Sequence, residues 1–291
     1  MKKFALFVLL VCIMCVEIAQ AQQDPQYTQY MYNMNVVNPA YAGSKETLSL
    51  TALYRKQWSG LDGAPETITF SGHSPVTDEV GLGLSVIKDE LGPVKETNAY
   101  VDFSYTLQVG ENLKLALGLK AGATFHDVGL ADLELQDPND PFFSQDISNI
   151  YPNIGAGAFF YGDNFYVGLS VPNFLNSVHL DENGLKYGSE TNHYFATAGY
   201  VFQVSENMKL KPSVMVKSAF DAPLSFDGNL NALFYEKFEL GVSYRLEDSF
   251  SGLVGFQATD YLRIGYAYDH VISELDAVAS ASHEVILTFD L

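Results

Sequence analysis

The sequence predicts an all-β chain: a transmembrane, antiparallel, up-and-down β-barrel of fourteen strands, led by a short segment that is not a strand. Three observations carry this. Apolar residues alternate with polar or small ones in one segment after another. The joints between segments are short at one end and long at the other. The basic residues of the strands fall on the face that the apolar residues avoid.

The chain opens with a secretory signal. Lys2 and Lys3 supply the positive start, Phe4 to Val16 the apolar run, and Ala19-Gln20-Ala21 an A-x-A cleavage site. Residues 1–21 are therefore expected to leave, with Gln22 as the new first residue. The apolar run is too short for a membrane anchor, which needs about 20 residues. Cys12 and Cys15 leave with it, and the remainder has no disulfide or thiol chemistry. Of 16 basic and 35 acidic residues, the loss of Lys2, Lys3 and Glu17 leaves 14 and 34. A net charge near −20 disfavours nucleic acid as a partner. No later segment is long and apolar enough for a membrane helix, so a membrane role requires a closed barrel. The 18 Tyr and 20 Phe, against a single Trp, suit aromatic girdles at the two membrane interfaces.

Residues 22–45 do not alternate. They carry Tyr27, Tyr30, Met31, Tyr32 and Met34 without a clean period, and Asn38-Pro39 breaks any helix. So aromatic a segment should not hang free. It is expected to pack on the periplasmic mouth of the barrel or in its lumen.

Residues 46–291 form the barrel. Strands are expected at 46–55, 65–73, 79–88, 97–108, 112–126, 152–161, 164–171, 191–204, 207–217, 224–235, 237–246, 250–258, 260–269 and 282–291. The fifth is the clearest: Leu113, Leu115, Leu117, Leu119, Ala121, Ala123 and Phe125 alternate with Lys114, Ala116, Gly118, Lys120, Gly122, Thr124 and His126. Its partner, 97–108, joins it through a tight turn around Gly110. Most joints at that end are similarly brief, whereas the other end carries 56–64, 89–96, 127–151, 172–190, 218–223, 247–249 and 270–281. Short turns on one side and long loops on the other mark the periplasmic and outer ends of an outer-membrane barrel.

Charge is sorted in the same way. Arg55, Lys114, Lys120, Lys209, Lys211, Lys217, Lys237, Arg245 and Arg263 take the non-lipid face, because a cation at mid-bilayer costs about 2–4 kcal/mol. Asp102, Asp227, Glu239 and Asp269 face inward too. Two interiors fit: a solvated lumen with internal ion pairs, or a basic lumen that holds an acidic segment. Many inward positions are Gly, among them Gly81, Gly83, Gly118, Gly157, Gly168 and Gly265, which lets another backbone approach. A lumen partly filled by loops or by the N-terminal segment follows from that.

Catalytic motifs are absent. There is no G-x-S-x-G, H-E-x-x-H or P-loop, and the six His are scattered. The loop 127–151 gathers Asp127, Asp132, Glu134, Asp137, Asp140 and Asp146, but without the spacing of an EF-hand. It reads as a solvated outer loop. No enzyme, cofactor or metal is expected.

Gln29-Tyr30-Met31-Tyr32-Asn33, Asn38-Pro39-Ala40-Tyr41-Ala42-Gly43, Tyr54-Arg55-Lys56-Gln57-Trp58 and Gly81-Leu82-Gly83 together resemble the PorP/SprF family of Bacteroidota outer-membrane proteins. The resemblance implies a porin-like barrel associated with type IX secretion and gliding motility, helping to export or attach surface proteins such as adhesins. Its partners would be the secretion machinery or an exported adhesin, within outer-membrane lipid, and the barrel itself would be monomeric. Tyr30, Tyr32, Asn38, Pro39, Tyr41, Arg55 and Trp58 are the candidate partner-binding residues, with Trp58 also suited to anchor at the membrane interface. The N-terminal segment would meet a partner from below and the long loops 127–151, 172–190 and 270–281 from above. The alternative is an outer-membrane channel or transporter for small or hydrophobic solutes.

Overall fold

A computed structural model describes residues 25–130, 145–175, 178–182, 185–189, 192–219, 222–273 and 281–291. The wall is built from β1 (Ser49–Lys56), β2 (Glu66–Pro75), β3 (Val80–Leu91), β4 (Val94–Gln108), β5 (Lys114–Val128), β6 (Ile147–Tyr161) and β7 (Phe165–Val171). A separate hairpin follows, β8 (Val178–Glu182) and β9 (Leu185–Ser189). The wall resumes with β10 (His193–Tyr200), β11 (Phe202–Ser205), β12 (Met208–Ala219), β13 (Ala222–Phe234), β14 (Phe238–Arg245), β15 (Ser249–Gln257), β16 (Leu262–Val271) and β17 (Ser282–Asp290). β10 and β11 are two halves of one stave, interrupted at Val201, so fourteen staves form the wall. Every pairing is antiparallel. β10 pairs with both β7 and β12, and β1 pairs with both β2 and β17, which closes the cylinder. Closure satisfies the backbone in lipid, where an open sheet edge would strand unpaired N–H and C=O groups.

Alternation decides which face meets lipid. Leu119 is 63% exposed and its neighbour Lys120 only 2%. Along the same strand Leu117 and Phe125 face out, while Thr124 and His126 are buried. The hydrophobic residues are thus on the outside of this fold and the polar ones within, the reverse of a water-soluble domain.

Two outer joints are shorter than the sequence suggests. The expected loop 89–96 is only the turn Gly92-Pro93, because β3 and β4 run on and pair up to Leu91 and Val94. Likewise Ala219 pairs with Ala222 where a joint of 218–223 was expected. β6 begins at Ile147, five residues before its expected start at 152. The region 172–190, read as a loop, contains the β8–β9 hairpin. Lys237 stands exposed in the turn before β14, not on the lumen wall.

These extensions make the wall lopsided. β4, β5 and β6 have 15 residues each, whereas β1 and β14 have 8. At about 3.3 Å per residue and a tilt near 40°, one side rises roughly 38 Å and the other roughly 20 Å. The taller side stands clear of the bilayer, and there its outward face carries charge: Lys88 pairs with Glu90 at 2.5 Å. Such pairs are worth little energetically, yet they place the water boundary below them.

Candidate functional site

The lumen is filled by the chain's own residues 25–44. This segment consists of a 3₁₀ turn (Tyr30–Tyr32), the four-residue helix α1 (Met34–Val37) and a second 3₁₀ turn (Pro39–Tyr41). Asn38 caps that second turn, its side-chain oxygen accepting from the Ala40 amide at 3.0 Å, with Pro39 in the first position where a missing N–H costs nothing. From Pro25 to Ser44 the segment carries no charge. It is therefore neither the acidic insert of one expectation nor the water of the other. Its backbone and amides are held instead by ion pairs that belong to the wall.

The path starts near the loop-bearing end. Arg245 donates to the Gln26 side chain at 2.8 Å, while pairing with Asp227 at 2.6 Å and with Asp248 of the β14–β15 turn at 3.3 Å. Next comes a three-strand cluster at the seam. Arg55 of β1 lies 2.7 Å from Asp269 of β16 and 3.2 Å from Glu284 of β17. The Thr28 and Gln29 amides donate to the two Glu284 oxygens at 2.9 and 2.8 Å, and the Thr28 hydroxyl donates to Asp269 at 2.8 Å. Burial leaves these three charges 2% exposed or less, which is tolerable only because each is paired and hydrogen-bonded.

The segment then descends along β12–β16 to Tyr32. The Arg263 guanidinium sits 3.5 Å over the Tyr32 ring, Lys211 donates to its hydroxyl at 2.7 Å, and that hydroxyl donates to Glu239. Helix α1 crosses to the opposite wall. Asn35 donates to Asp102 at 3.1 Å, and Lys120, paired with Asp102 at 3.4 Å, donates to the Val36 carbonyl at 3.2 Å. Ser170 donates to the Val37 carbonyl at 2.8 Å. Descent along β3–β6 ends where Ser104 donates to the Ala42 carbonyl at 2.5 Å and the Gly43 amide donates to His73 at 3.1 Å. Gly43 has φ +73, the left-handed turn that aims the chain into β1. Lys45 meets Asp290 at the short-turn rim, 2.7 Å away.

Inward glycines make room for this backbone. A methyl group built at Gly118 would lie 2.1 Å from the Ala40 nitrogen, and one at Gly81 would lie 2.2 Å from the Ala42 oxygen. Backbone cannot swing aside as a side-chain tip can. Gly118→Ala should therefore dislodge the second 3₁₀ turn, lowering the unfolding midpoint and admitting ions. Gly252→Ala, with nothing within 4 Å, should do neither. Unfolding scans and bilayer conductance of the two variants check this.

Among the described residues, the luminal segment borders an outer and an inner cavity. The outer one lies between Val36, Val37, Ile87, Phe195 and Met215, with Pro25, Gln26 and Tyr27 on its rim. The inner one, toward the short turns, is lined by Met31, Tyr32, Tyr41, Phe159, Tyr161 and Tyr166.

The seven candidate partner residues fall into three places. Tyr30, Tyr32, Asn38, Pro39 and Tyr41 belong to the luminal segment, and Tyr30 and Asn38 are only 1% exposed. Arg55 is the cation of the seam cluster. Trp58 lies in the outer joint after β1, half-buried with φ +48, its amide donating to Ser282 at 3.2 Å. Sequence reasoning placed Asp102, Glu239 and Asp269 on the inner face, where they hold the segment, but missed Glu284. An acidic residue on the inner face of a terminal strand was the available signal. Residues 131–144 and 274–280, the core of two expected partner loops, lie outside the described residues.

Residues 19–289 match the family model described as type IX secretion system membrane protein PorP/SprF. No curated protein matches the chain. Among solved structures, it is similar to the Ralstonia pickettii toluene transporter TbuX, at 9% identity and TM-score 0.56, covering 88% of this chain and 93% of that one. It is also similar to the CymD monoaromatic hydrocarbon channel, at 12% identity and TM-score 0.54, covering 91% and 93%. The Acinetobacter baumannii outer membrane protein Omp33 matches at 10% identity and TM-score 0.52, covering 86% and 100%. At such identities these likenesses establish the outer-membrane barrel fold.

Proposed function

Because the chain belongs to the PorP/SprF family of type IX secretion system membrane proteins, we propose that it is a non-enzymatic outer-membrane accessory of that system, supporting export or surface attachment of secreted proteins such as gliding adhesins. The observation that carries this reading is the family match over residues 19–289. The filled lumen supports it: a barrel occupied by its own chain does not conduct a cargo polypeptide, so its contribution is made by its outer surfaces. In this reading the barrel acts as a monomer, its leader is removed after Ala21, and no cofactor takes part. The joints 129–146, 172–192 and 272–281 meet the partner. Trp58 contributes contact at the outer joint. Tyr30, Tyr32, Asn38, Pro39, Tyr41 and Arg55 act indirectly, by fixing the segment on which the outer cavity rests.

Affinity purification of the tagged barrel from outer membranes, read by mass spectrometry, tests the reading. Secretion components or a surface adhesin should co-purify with it. Removing 130–145, which spares β5 and β6, together with 176–191 should cut adhesin display at least about tenfold, the loss of a contact set worth roughly 1.4 kcal/mol or more. Unchanged display of every surface adhesin argues against the loops. The second reading, a channel for small or hydrophobic solutes, draws on the apolar lining of the outer cavity; under it the barrel purifies alone.

A further inference from the structure

We infer that Pro25 and Gln26, where the described luminal segment begins, are presented at the outer face of the membrane, not in the periplasm, so that the segment runs inward from the cell surface. The observations are positional. Gln26 is tied through Arg245 to Asp248, which lies in a turn at the loop-bearing end. Thr28 is tied to Asp269, two residues from the outer end of β16 at Val271. At the other extreme, Gly43 meets His73, two residues from the inner end of β2 at Pro75, and Lys45 meets Asp290 at the inner end of β17. Between these anchors every stretch of the segment is fixed to named wall residues, so its direction is not free to reverse. The N-terminal segment, expected to meet partners from below, therefore offers them Pro25 and Gln26 from above, on the same side as the long joints.

The inference rests on the membrane orientation assumed above, and its test separates the two. Cys12 and Cys15 are the chain's only cysteines. With both changed to Ala, single cysteines are placed by Gln26→Cys and, as a second variant that spares the Arg245 hydrogen bond, Pro25→Cys. Asp62→Cys marks the joint after β1 and Glu111→Cys the short turn after β4, both exposed positions. Intact cells are treated with a membrane-impermeant maleimide before and after permeabilisation. Q26C and P25C should label on intact cells together with D62C, at least about tenfold more than E111C. Labelling of Q26C and P25C only after permeabilisation, in step with E111C, overturns the inference. So does their failure to label in either state while D62C reacts. If D62C and E111C exchange behaviour, the orientation itself is wrong and the inference falls with it.

Discussion

Deleting residues 25–43 should convert a sealed barrel into a conducting one. The wall is prepared for that loss, because each charge that grips the segment keeps a partner of its own. Arg55 remains with Asp269 and Glu284, Arg245 with Asp227, Lys120 with Asp102, and Lys211 with Glu239. No buried charge is orphaned, and water replaces the lost amide donors. A fourteen-stave cylinder is wider than the eight-strand barrels whose interiors side chains fill, and approaches the size of open porins. The shortened chain should still migrate as a folded, heat-modifiable barrel. In planar bilayers its conductance should exceed that of the intact chain by about tenfold or more, as expected where an aqueous lumen replaces a packed one. The intact chain should hold small sugars inside liposomes. A folded deletion variant that conducts no better than the intact chain would show that the segment does not seal the lumen.

Arg55→Ala is expected to be the most damaging single substitution in the lumen. It strips Asp269 and Glu284 of their shared cation at a site where neither is more than 2% exposed. Breaking a buried pair costs about 3–5 kcal/mol, and here two carboxylates are left facing each other. The damage falls where the cylinder closes, since Arg55 is on β1 and Glu284 on β17. Lys56→Ala is the matched control. It removes a neighbouring cation whose partner Glu66 is 2.6 Å away but whose side chain is 43% exposed, so solvent screens the pair and the unfolding midpoint should stay where it is. Urea unfolding in detergent, compared between the two variants, decides. Equal midpoints would mean that the cluster is structurally idle.

The architecture was legible where lipid enforces it. Leu117, Lys120 and their neighbours on β5 alternate because a cation on the outer face would be prohibitive, and that period fixed both the strand and its facing. Legibility ended where the wall leaves the bilayer. Lys88, Glu90 and Lys95 break the pattern on β3 and β4, so a two-residue turn was read as an eight-residue loop. Ser148, Asn149 and Pro152 did the same on β6, where no hydrocarbon demands an apolar face. The luminal segment was half-legible. Its aromatics and the inward glycines announced that some backbone fills the lumen, and Gly118 proves to face the Ala40 backbone. Its direction was not legible, because it depends on pairs such as Arg245 with Gln26, separated by more than two hundred positions and carrying no local period.

Glu284 places a consequence on biogenesis. The carboxylate that clasps Thr28 and Gln29 belongs to β17, the strand that closes the wall against β1. Until that strand docks beside the first, the Thr28 and Gln29 amides lack their acceptor, and the upper end of the stopper is held by side-chain bonds to Arg245, Asp269 and Arg55. The backbone clasp on the stopper and the closing of the wall thus coincide, and the seal is fully fastened only once β17 has joined β1.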